Sequence, residues 1–199
     1  NPPSYPACLL SRMSEWERSQ IIIPLQKKLA TVDFLAELLG LSVSGEFILP
    51  LFSTLYWCLD AHKCNAGIWL VPVSEIANGL IKWLFRRGRP GWVDSRVRIL
   101  TWTAEYSFPS SHAQLAFVLA QFFINSSRHP QAVTKTPAGL AYAYAASVAL
   151  SRVHAGVHYP SDVLVGSLWG LGTAQLYERP LPMLLAADPG TARGRLEDA

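Results

Sequence analysis

The sequence predicts an all-α protein: a membrane-embedded helical bundle with about five spanning helices, preceded by an N-terminal amphipathic helix. Half of the 199 residues are hydrophobic and only 16% are charged, whereas soluble domains contain roughly 25% charged residues. Apolar stretches of helical length recur along the chain and are separated by polar segments. These observations indicate one membrane domain and exclude a disordered or collagen-like chain.

The charge distribution divides the chain into three parts. Residues 1–33 mix basic and apolar side chains, which is typical of a helix that lies in the membrane interface. Residues 34–180 form the helical domain, and residues 181–199 are predicted to be a disordered tail. Because about 20 helical residues cross a bilayer, the predicted spans are 34–59, 66–85, 112–125, 138–151 and 160–177. The last span carries three glycines spaced for close helix packing, Gly166, Gly170 and Gly172.

The polar residues between the spans predict one site on one face of the membrane. If each span crosses once, the end of the second, the start of the third, the end of the fourth and the start of the fifth emerge on the same side. These junctions carry Lys82, Arg89, Ser110, Ser111, His112, Ser151, Arg152, His158 and Asp162. The net charge of +3 is not arranged as a basic stripe with interleaved aromatics, which excludes nucleic acid as a partner.

Three cations at these junctions indicate an anion site. Lys82 and Arg89 can approach one point from a helix end and a loop, and Arg152 adds a guanidinium, whose fork matches phosphate oxygens. The alternative is that they are ordinary anchors at the membrane surface. Lys82 favours the anion site, because a cation within an apolar span is costly unless it has a partner. Arg86 and Arg87 are interpreted as anchors.

The segment Pro109-Ser110-Ser111-His112 stands where a loop enters a helix. A helix N-terminus binds phosphate through its unpaired N–H groups, and the serines can equally cap the helix; the two interpretations are compatible. A histidine at this position can donate a proton to a departing oxygen, since its pKa lies near neutral pH.

His158 and Asp162 lie four residues apart at the start of the fifth span. The carboxylate is close enough to accept an N–H from the imidazole, which would leave the other ring nitrogen free as a nucleophile. A metal site formed by His154, His158 and Asp162 is the alternative. It leaves the neighbouring cations unexplained, and those cations would oppose a metal ion.

These residues resemble the three signature motifs of the type 2 phosphatidic acid phosphatase superfamily. The motifs occur in order as Lys82-x6-Arg89-Pro90, then Pro109-Ser110-Ser111-His112, then Ser151-Arg152-x5-His158-x3-Asp162. The resemblance covers residues 35–177. It implies a membrane protein that acts on an amphiphilic phosphorylated lipid, either a lipid phosphate monoester or an isoprenoid diphosphate, without a metal or another cofactor.

The resemblance also assigns roles to the residues. His158 is the nucleophile that becomes a phosphohistidine, Asp162 orients it and His112 is the general acid. The phosphate-binding residues are Lys82, Arg89, Ser110, Ser111 and Arg152. Ser111 replaces the glycine that is common in the second motif, and it keeps the backbone N–H that contacts phosphate. Two other functions use the same cations: a vanadate-dependent haloperoxidase, and a non-catalytic membrane protein that binds anionic lipids.

Overall fold

The computed structural model describes residues 5–58, 61–128 and 137–178, and all regular secondary structure in these ranges is helical. The α-helices there are α1 (Tyr5–Trp16), α2 (Ile23–Lys28), α3 (Asp33–Leu41), α4 (Gly45–Cys58), α5 (Ala61–Phe85), α6 (Pro90–Val93), α7 (Ser111–Arg128), α8 (Ala138–His154) and α9 (Pro160–Glu178). A π-helical stretch, Glu17–Ile22, joins α1 to α2, and Ala30–Val32 forms a 3₁₀ turn before α3. The predicted tail, 181–199, lies outside the described residues.

Four of the five predicted spans correspond to single helices, α5, α7, α8 and α9. The span predicted at 34–59 is instead divided, because α3 ends at Leu41 and α4 begins at Gly45. At the break, the hydroxyl of Ser42 donates to the carbonyl of Leu39 over 2.7 Å. Glycine and serine are weak helix formers, and such side-chain bonds compete with the helix ladder, so the chain turns here.

The predicted number of spanning helices is not confirmed. By length and composition, no single helix in the described part of the chain is long and apolar enough to cross a membrane. One pair of helical segments meets this criterion together: Ala30–Leu41 and Gly45–Leu51, which are bent by 51° relative to each other.

Helix α7 lies at the centre of the bundle and contributes to each of the three hydrophobic clusters. Helix α9 packs closely against its first two turns. A Cβ at Gly166 would lie 2.4 Å from the carbonyl oxygen of Ser110, and one at Gly170 would lie 2.3 Å from that of Gln114. These two glycines therefore make the predicted close contact. Gly172 does not, since a Cβ there would meet nothing within 4 Å.

Helix α5 is apolar on its outer face and polar on its inner face. Its exposed residues include Trp69, Ile76, Leu80 and Trp83, whereas it buries Ser74, Asn78 and Lys82. Asn78 donates to the amide oxygen of Gln114, and Gln114 in turn donates to the carbonyl of Ser74 over 3.1 Å. Polar contacts between helices with apolar residues outside are typical of a bundle in lipid.

The N-terminal segment is helical, as predicted, and it also packs into the bundle. Ile22 is fully buried, and Glu17 and Gln26 are almost fully buried. The amide of Gln26 donates to the carbonyls of Arg98 and His154 over 2.7 and 2.8 Å, and its oxygen accepts from the N–H of Arg98. Buried polar groups of this kind were not predicted for an interfacial helix. They connect the segment to the loop before α7 and to the end of α8.

Candidate active site

His158 lies in the loop between α8 and α9, and its side chain is almost fully buried. Its Nδ1–H donates to the carbonyl oxygen of Ser107 over 2.7 Å. This bond places the proton on Nδ1 and leaves the lone pair on Nε2. The nearest donor to Nε2 is the Nη1 of Arg89, at 3.2 Å. The Nε2 lone pair therefore accepts a hydrogen bond from the Arg89 guanidinium in this structure.

Asp162 lies beside His158, but it does not make the direct hydrogen bond that the sequence predicted. Its Oδ2 is 3.8 Å from the Nδ1 of His158, beyond hydrogen-bond distance. The same oxygen accepts from the hydroxyl of Ser107 and from the N–H of Tyr159, the latter over 3.0 Å. The predicted contact is corrected accordingly: Nδ1 donates to a main-chain carbonyl, and Asp162 binds the residue that provides this carbonyl.

Arg89 is buried and held by main-chain carbonyls. Its Nε donates to Glu105 over 2.6 Å and its Nη1 to Val157 over 2.9 Å. Burial lowers the pKa of Arg89 to about 10, so the guanidinium is still protonated at neutral pH. Because carbonyls from two separate loops fix its plane, Arg89 presents its charge to His158 in a defined orientation.

Lys82 ends the polar face of α5 and also points into the site. Its Nζ is 2.5 Å from Oε2 of Glu105 and donates to the hydroxyl of Ser111 over 3.2 Å. The Lys82 side chain is 5% exposed, whereas that of Glu105 is 69% exposed. The hydrogen bond from Lys82 holds the pKa of Glu105 below its usual value. Lys82, which the sequence assigned to phosphate binding, is therefore paired with the solvent-facing carboxylate of Glu105.

Ser110 and Ser111 lie at the N-terminus of α7, as predicted. The hydroxyl of Ser110 accepts the N–H of Ala113 over 3.4 Å, which is a helix cap. The N–H of Ser110 donates to the main-chain carbonyl of Asp162 over 3.1 Å. Since Gly166 lies directly against Ser110, the contact between α7 and α9 brings the second and third motifs together.

Arg152 and His112 line one cavity of about 680 Å³ between α3, α4 and the loop before α7. Arg152 is buried and donates to the carbonyl of Ala36 and, through Nε, to the hydroxyl of Ser151 over 3.1 Å. Its guanidinium lies against Gly40, where a Cβ would come within 2.1 Å of it. Gly40 was not singled out from the sequence, because its partner is on a distant helix.

The predicted site residues come together around His158. His112 interacts electrostatically with Arg152, His158, Lys82 and Arg89. Burial lowers the pKa of His158 to about 4, so the imidazole is neutral at physiological pH.

Arg87 was interpreted as a surface anchor, and this interpretation was wrong. Its Nη1 contacts Asp162 and donates to the hydroxyl of Ser161 over 2.8 Å. Its Nη2 donates to Ser14 over 2.8 Å and to Glu17 over 2.9 Å. The guanidinium also lies 3.9 Å from the centre of the Tyr159 ring. Arg87 thus connects the N-terminal segment to the start of α9. Arg86 is exposed, as expected of an anchor.

Glu17 and Ser107 are the other site residues that the sequence analysis missed. Glu17 is buried, and its Oε1 accepts the N–H of Ser161 over 2.8 Å in the first turn of α9. Ser107 binds both His158 and Asp162. Neither lies in one of the three motifs, and their partners are 51 to 144 residues away along the chain.

His154, the histidine in the metal alternative, has a different carboxylate as its neighbour. Its Nε2 lies 2.8 Å from Oδ1 of Asp33, and the other carboxylate oxygen, Oδ2, accepts from Nη1 of Arg98 over 2.9 Å. Within the ranges covered by the structure, no group of three or more His, Cys, Asp or Glu is arranged to hold a metal ion. The partner of His154 is thus Asp33 and not Asp162.

The fold and the site together define a class: an all-helical protein in which buried cations surround a histidine at the junction of four helices. The chain belongs to the PAP2 superfamily, whose family model matches residues 66–180. It is 32% identical to the decaprenylphosphoryl-5-phosphoribose phosphatase of Mycobacterium tuberculosis over 77% of this chain and 85% of that protein. It is 27% identical to the putative undecaprenyl-diphosphatase of Escherichia coli over 62% of each chain. These names support the predicted class, a phosphatase of the PAP2 type.

Two solved structures share the fold, each with a TM-score of 0.62. One is LpxE of Aquifex aeolicus, which is 24% identical; the matched region covers 74% of this chain and 85% of LpxE. The other is a transmembrane PAP2-type phosphatidylglycerolphosphate phosphatase of Bacillus subtilis, 22% identical, which covers 80% and 83%. The fold is thus that of a transmembrane PAP2 phosphatase, which supports the predicted integral-membrane localisation.

Proposed function

We propose that this protein is a membrane phosphatase that hydrolyses a lipid phosphate monoester or an isoprenoid diphosphate through a phosphohistidine on His158, without a metal ion. The observation that carries the proposal is the state of His158: Nδ1 donates to the carbonyl of Ser107, and Nε2 is unprotonated and accepts from Arg89, a donor that an incoming phosphate can draw away. A neutral imidazole among cations is a nucleophile placed where an anionic phosphate binds.

In the first step, Nε2 of His158 attacks phosphorus and the bond from phosphorus to the leaving oxygen breaks. Lys82, Arg89 and Arg152 neutralise the charge on the other phosphate oxygens, and Ser110 and Ser111 contribute donors at the N-terminus of α7. The negative charge of the bound phosphate favours the protonated form of the buried His112, which donates its proton to the leaving oxygen. Asp162 acts as a positioning residue, since it binds Ser107, whose carbonyl orients the imidazole.

In the second step, water replaces the histidine on phosphorus. Neutral His112 removes a proton from the water, the new oxygen bonds to phosphorus, and the bond to Nε2 breaks. Phosphate then leaves, and both histidines return to their starting states. The cations stabilise the same charge in both steps, so one set of residues serves the complete reaction.

The test is phosphate release in detergent with excess chelator, from a panel of lipid phosphates and polyprenyl diphosphates. We expect release by the wild type and none by His158→Gln. His154→Gln is the matched control, because it changes another buried histidine that binds Asp33, and we expect it to keep most of the activity. With a substrate whose phosphate is radiolabelled, rapid quenching of the wild-type reaction should leave label on the protein. Label that is acid-labile and base-stable would identify the phosphohistidine.

Two results would contradict the proposal. Substantial release by folded His158→Gln would remove the nucleophile assignment, and loss of release with chelator would remove the metal-free reaction. If no substrate is hydrolysed, halide oxidation by peroxide with added vanadate tests the haloperoxidase alternative. Binding of anionic vesicles that is unchanged in His158→Gln and His112→Gln would indicate a lipid-binding protein.

A further inference from the structure

The N-terminal segment contacts the active site through two consecutive residues of its π-helical stretch, Glu17 and Arg18. Glu17 accepts the N–H of Ser161 over 2.8 Å, and Nη1 of Arg18 donates to the hydroxyl of Tyr159 over 3.2 Å. Both partners directly follow His158 along the chain, so the segment is in contact with the C-terminal side of the proposed nucleophile. Short π-helical stretches are rare and are frequently found at functional sites.

Glu17 holds the guanidinium that pairs with Asp162. Its Oε2 accepts from Nη2 of Arg87 over 2.9 Å, and Nη1 of Arg87 contacts Oδ1 of Asp162. Both carboxylates are buried, and a buried carboxylate needs a counter-ion; here the two share Arg87. Because the guanidinium is planar and rigid, a carboxylate that binds one end of it determines where the other end points.

Arg87 in turn determines which oxygen of Asp162 is available beside the nucleophile. With Oδ1 on Arg87, Oδ2 accepts from the hydroxyl of Ser107 and from the N–H of Tyr159. The carbonyl of Ser107 accepts the Nδ1–H of His158 over 2.7 Å. A shift of the guanidinium therefore changes the direction in which the imidazole points.

Glu17 also supports the helix that carries Asp162. Ser161 lies in the first turn of α9, where main-chain N–H groups have no partner within the helix. Glu17 accepts one of these N–H groups, and its negative charge is favourable at a helix N-terminus. One carboxylate thus fixes both the start of α9 and the guanidinium on Asp162. It lies outside the three motifs and outside residues 66–180, which the family model matches.

We propose that Glu17 is a positioning residue of the phosphatase reaction, whose carboxylate holds Arg87 and the start of α9 in the arrangement that directs Nε2 of His158 at phosphorus. The inference rests on the proposed function. It makes the N-terminal segment a part of the active site. Because Glu17 acts through Arg87 and Asp162 and not on the phosphate, its loss should lower kcat and leave KM largely unchanged.

The main test variant is Glu17→Gln, which keeps the size of the side chain and removes its charge. Glu17 accepts at both oxygens, from Ser161 and from Arg87, so the NH₂ group of the amide faces a donor whichever way it is turned. The substrate is the best lipid phosphate of the panel, in detergent. We expect kcat to fall about tenfold or more, as displaced catalytic groups commonly cause, and KM to change by less than about threefold.

Gln26→Met is the matched control, because Gln26 is a similarly buried polar residue of the same segment and binds the carbonyls of Arg98 and His154 instead. Loss of these hydrogen bonds should lower the unfolding temperature and leave kcat of the folded protein within about twofold of the wild type. Glu15→Gln, at an exposed position nearby, should change neither quantity.

A double variant tests whether Glu17 acts through Arg87. If it does, kcat of Glu17→Gln with Arg87→Ala is no lower than that of Arg87→Ala alone, because the contact is already lost and glutamine removes a carboxylate left unpaired. Losses that multiply in the double variant would overturn the inference, as would a kcat for Glu17→Gln within about twofold of the wild type.

An equal loss of kcat in Gln26→Met and Glu17→Gln would also overturn it, since the loss would then follow from stability alone. If Glu17→Gln does not fold, Glu17→Asp answers the same question, because it keeps the charge and shortens the reach. We expect Glu17→Asp to lose about threefold or more in kcat, and the wild-type value there would overturn the inference. Each of these results requires an active wild type, whereas a wild type that hydrolyses no substrate is failure of the proposed function.

Discussion

At the scale of single residues, the site depends on keeping His158 neutral. Its burial removes the imidazole from water, which disfavours the charged form and lowers the pKa from 6.5 to about 4. Arg89 acts in the same direction, since its guanidinium repels a second positive charge. A neutral His158 is the form that can attack phosphorus.

This predicts an acidic limb of the activity profile that lies well below the usual histidine range. Protonation of His158 stops the attack, and because its pKa is lowered, protonation occurs only as the pH falls to about 4. The measurement is kcat/KM between about pH 4 and 8, with the ionisation of the substrate phosphate determined separately by NMR and subtracted. A residual limb with its midpoint near 6.5, the value of an exposed histidine, would contradict the prediction.

Arg87 provides a second prediction at this scale. Arg87→Ala leaves the buried carboxylates of Asp162 and Glu17 without their guanidinium, so the start of α9 and the Ser107 loop lose a common support. We expect kcat to fall by about 10- to 100-fold, as small displacements of catalytic groups commonly produce, and Arg87→Lys to restore part of it. Arg86→Ala is the control, because Arg86 is the exposed neighbour. Equal kcat in the two alanine variants would assign Arg87 no positioning role.

At the scale of the elements, the site is formed where α7 and α9 touch. Gly166 and Gly170 let the two helices approach until main-chain atoms are in contact, and Ser110 thereby reaches the carbonyl of Asp162. The spacing of these glycines identified the contact surface from sequence. Gly172 follows Gly170 by two residues and not by four, which places it on the other side of the helix, and a Cβ there would meet nothing within 4 Å.

The three glycines give a graded prediction for alanine substitution. A Cβ at Gly166 or Gly170 overlaps a carbonyl of α7, so we expect each variant to lose about 1–3 kcal/mol of stability, as overpacked sites do. Gly172→Ala should be neutral or slightly stabilising, since alanine is the better helix former. Thermal unfolding in detergent measures all three. Similar unfolding temperatures for Gly166→Ala and Gly172→Ala would contradict the packing described here.

The sequence predicted the helix boundaries well where an apolar run meets a polar segment. Helix α5 ends at Phe85, before two arginines, and α9 begins at Pro160, as expected. It failed at residues 42–44, where two helices meet within one apolar run. Of the site, it identified the residues whose chemical types were unusual for their position, such as Lys82 in a span. It missed Arg87, Glu17 and Gly40, since each is ordinary in its own segment and acquires its role from a partner that only the tertiary fold brings near.

At the scale of the whole molecule, the bundle has its polar residues inside and large apolar residues outside. Trp69 and Trp83 on the outer face of α5 are 62% and 65% exposed, whereas Asn78 and Lys82 are buried behind them. Apolar surface of this extent needs a cover. Both the family fold and the exposed apolar side chains indicate that lipid covers this surface.

This arrangement predicts that both tryptophans contact acyl chains. In vesicles whose lipids carry bromine on the acyl chain, we expect strong quenching of the protein fluorescence. The quenched fraction should decrease in Trp69→Phe and Trp83→Phe, because phenylalanine removes the emitting ring and keeps an apolar side chain. Vesicles without bromine are the control. A quenched fraction that is the same in the wild type and in both variants would place the outer face of α5 out of contact with lipid.

The ion pair between Lys82 and Glu105 means that, before substrate binds, a carboxylate of the protein itself competes with phosphate for Lys82. Glu105 lies mostly in solvent and occupies the lysine that the proposed reaction assigns to phosphate, so an incoming phosphate must displace a carboxylate that is tethered beside it. The same carboxylate is available to return when the reaction ends. A tethered competitor of this kind lowers the affinity for inorganic phosphate and for a lipid phosphate by the same factor, and the lipid keeps the additional contribution of its chain. The fold thus favours product release at a modest loss of affinity for substrate.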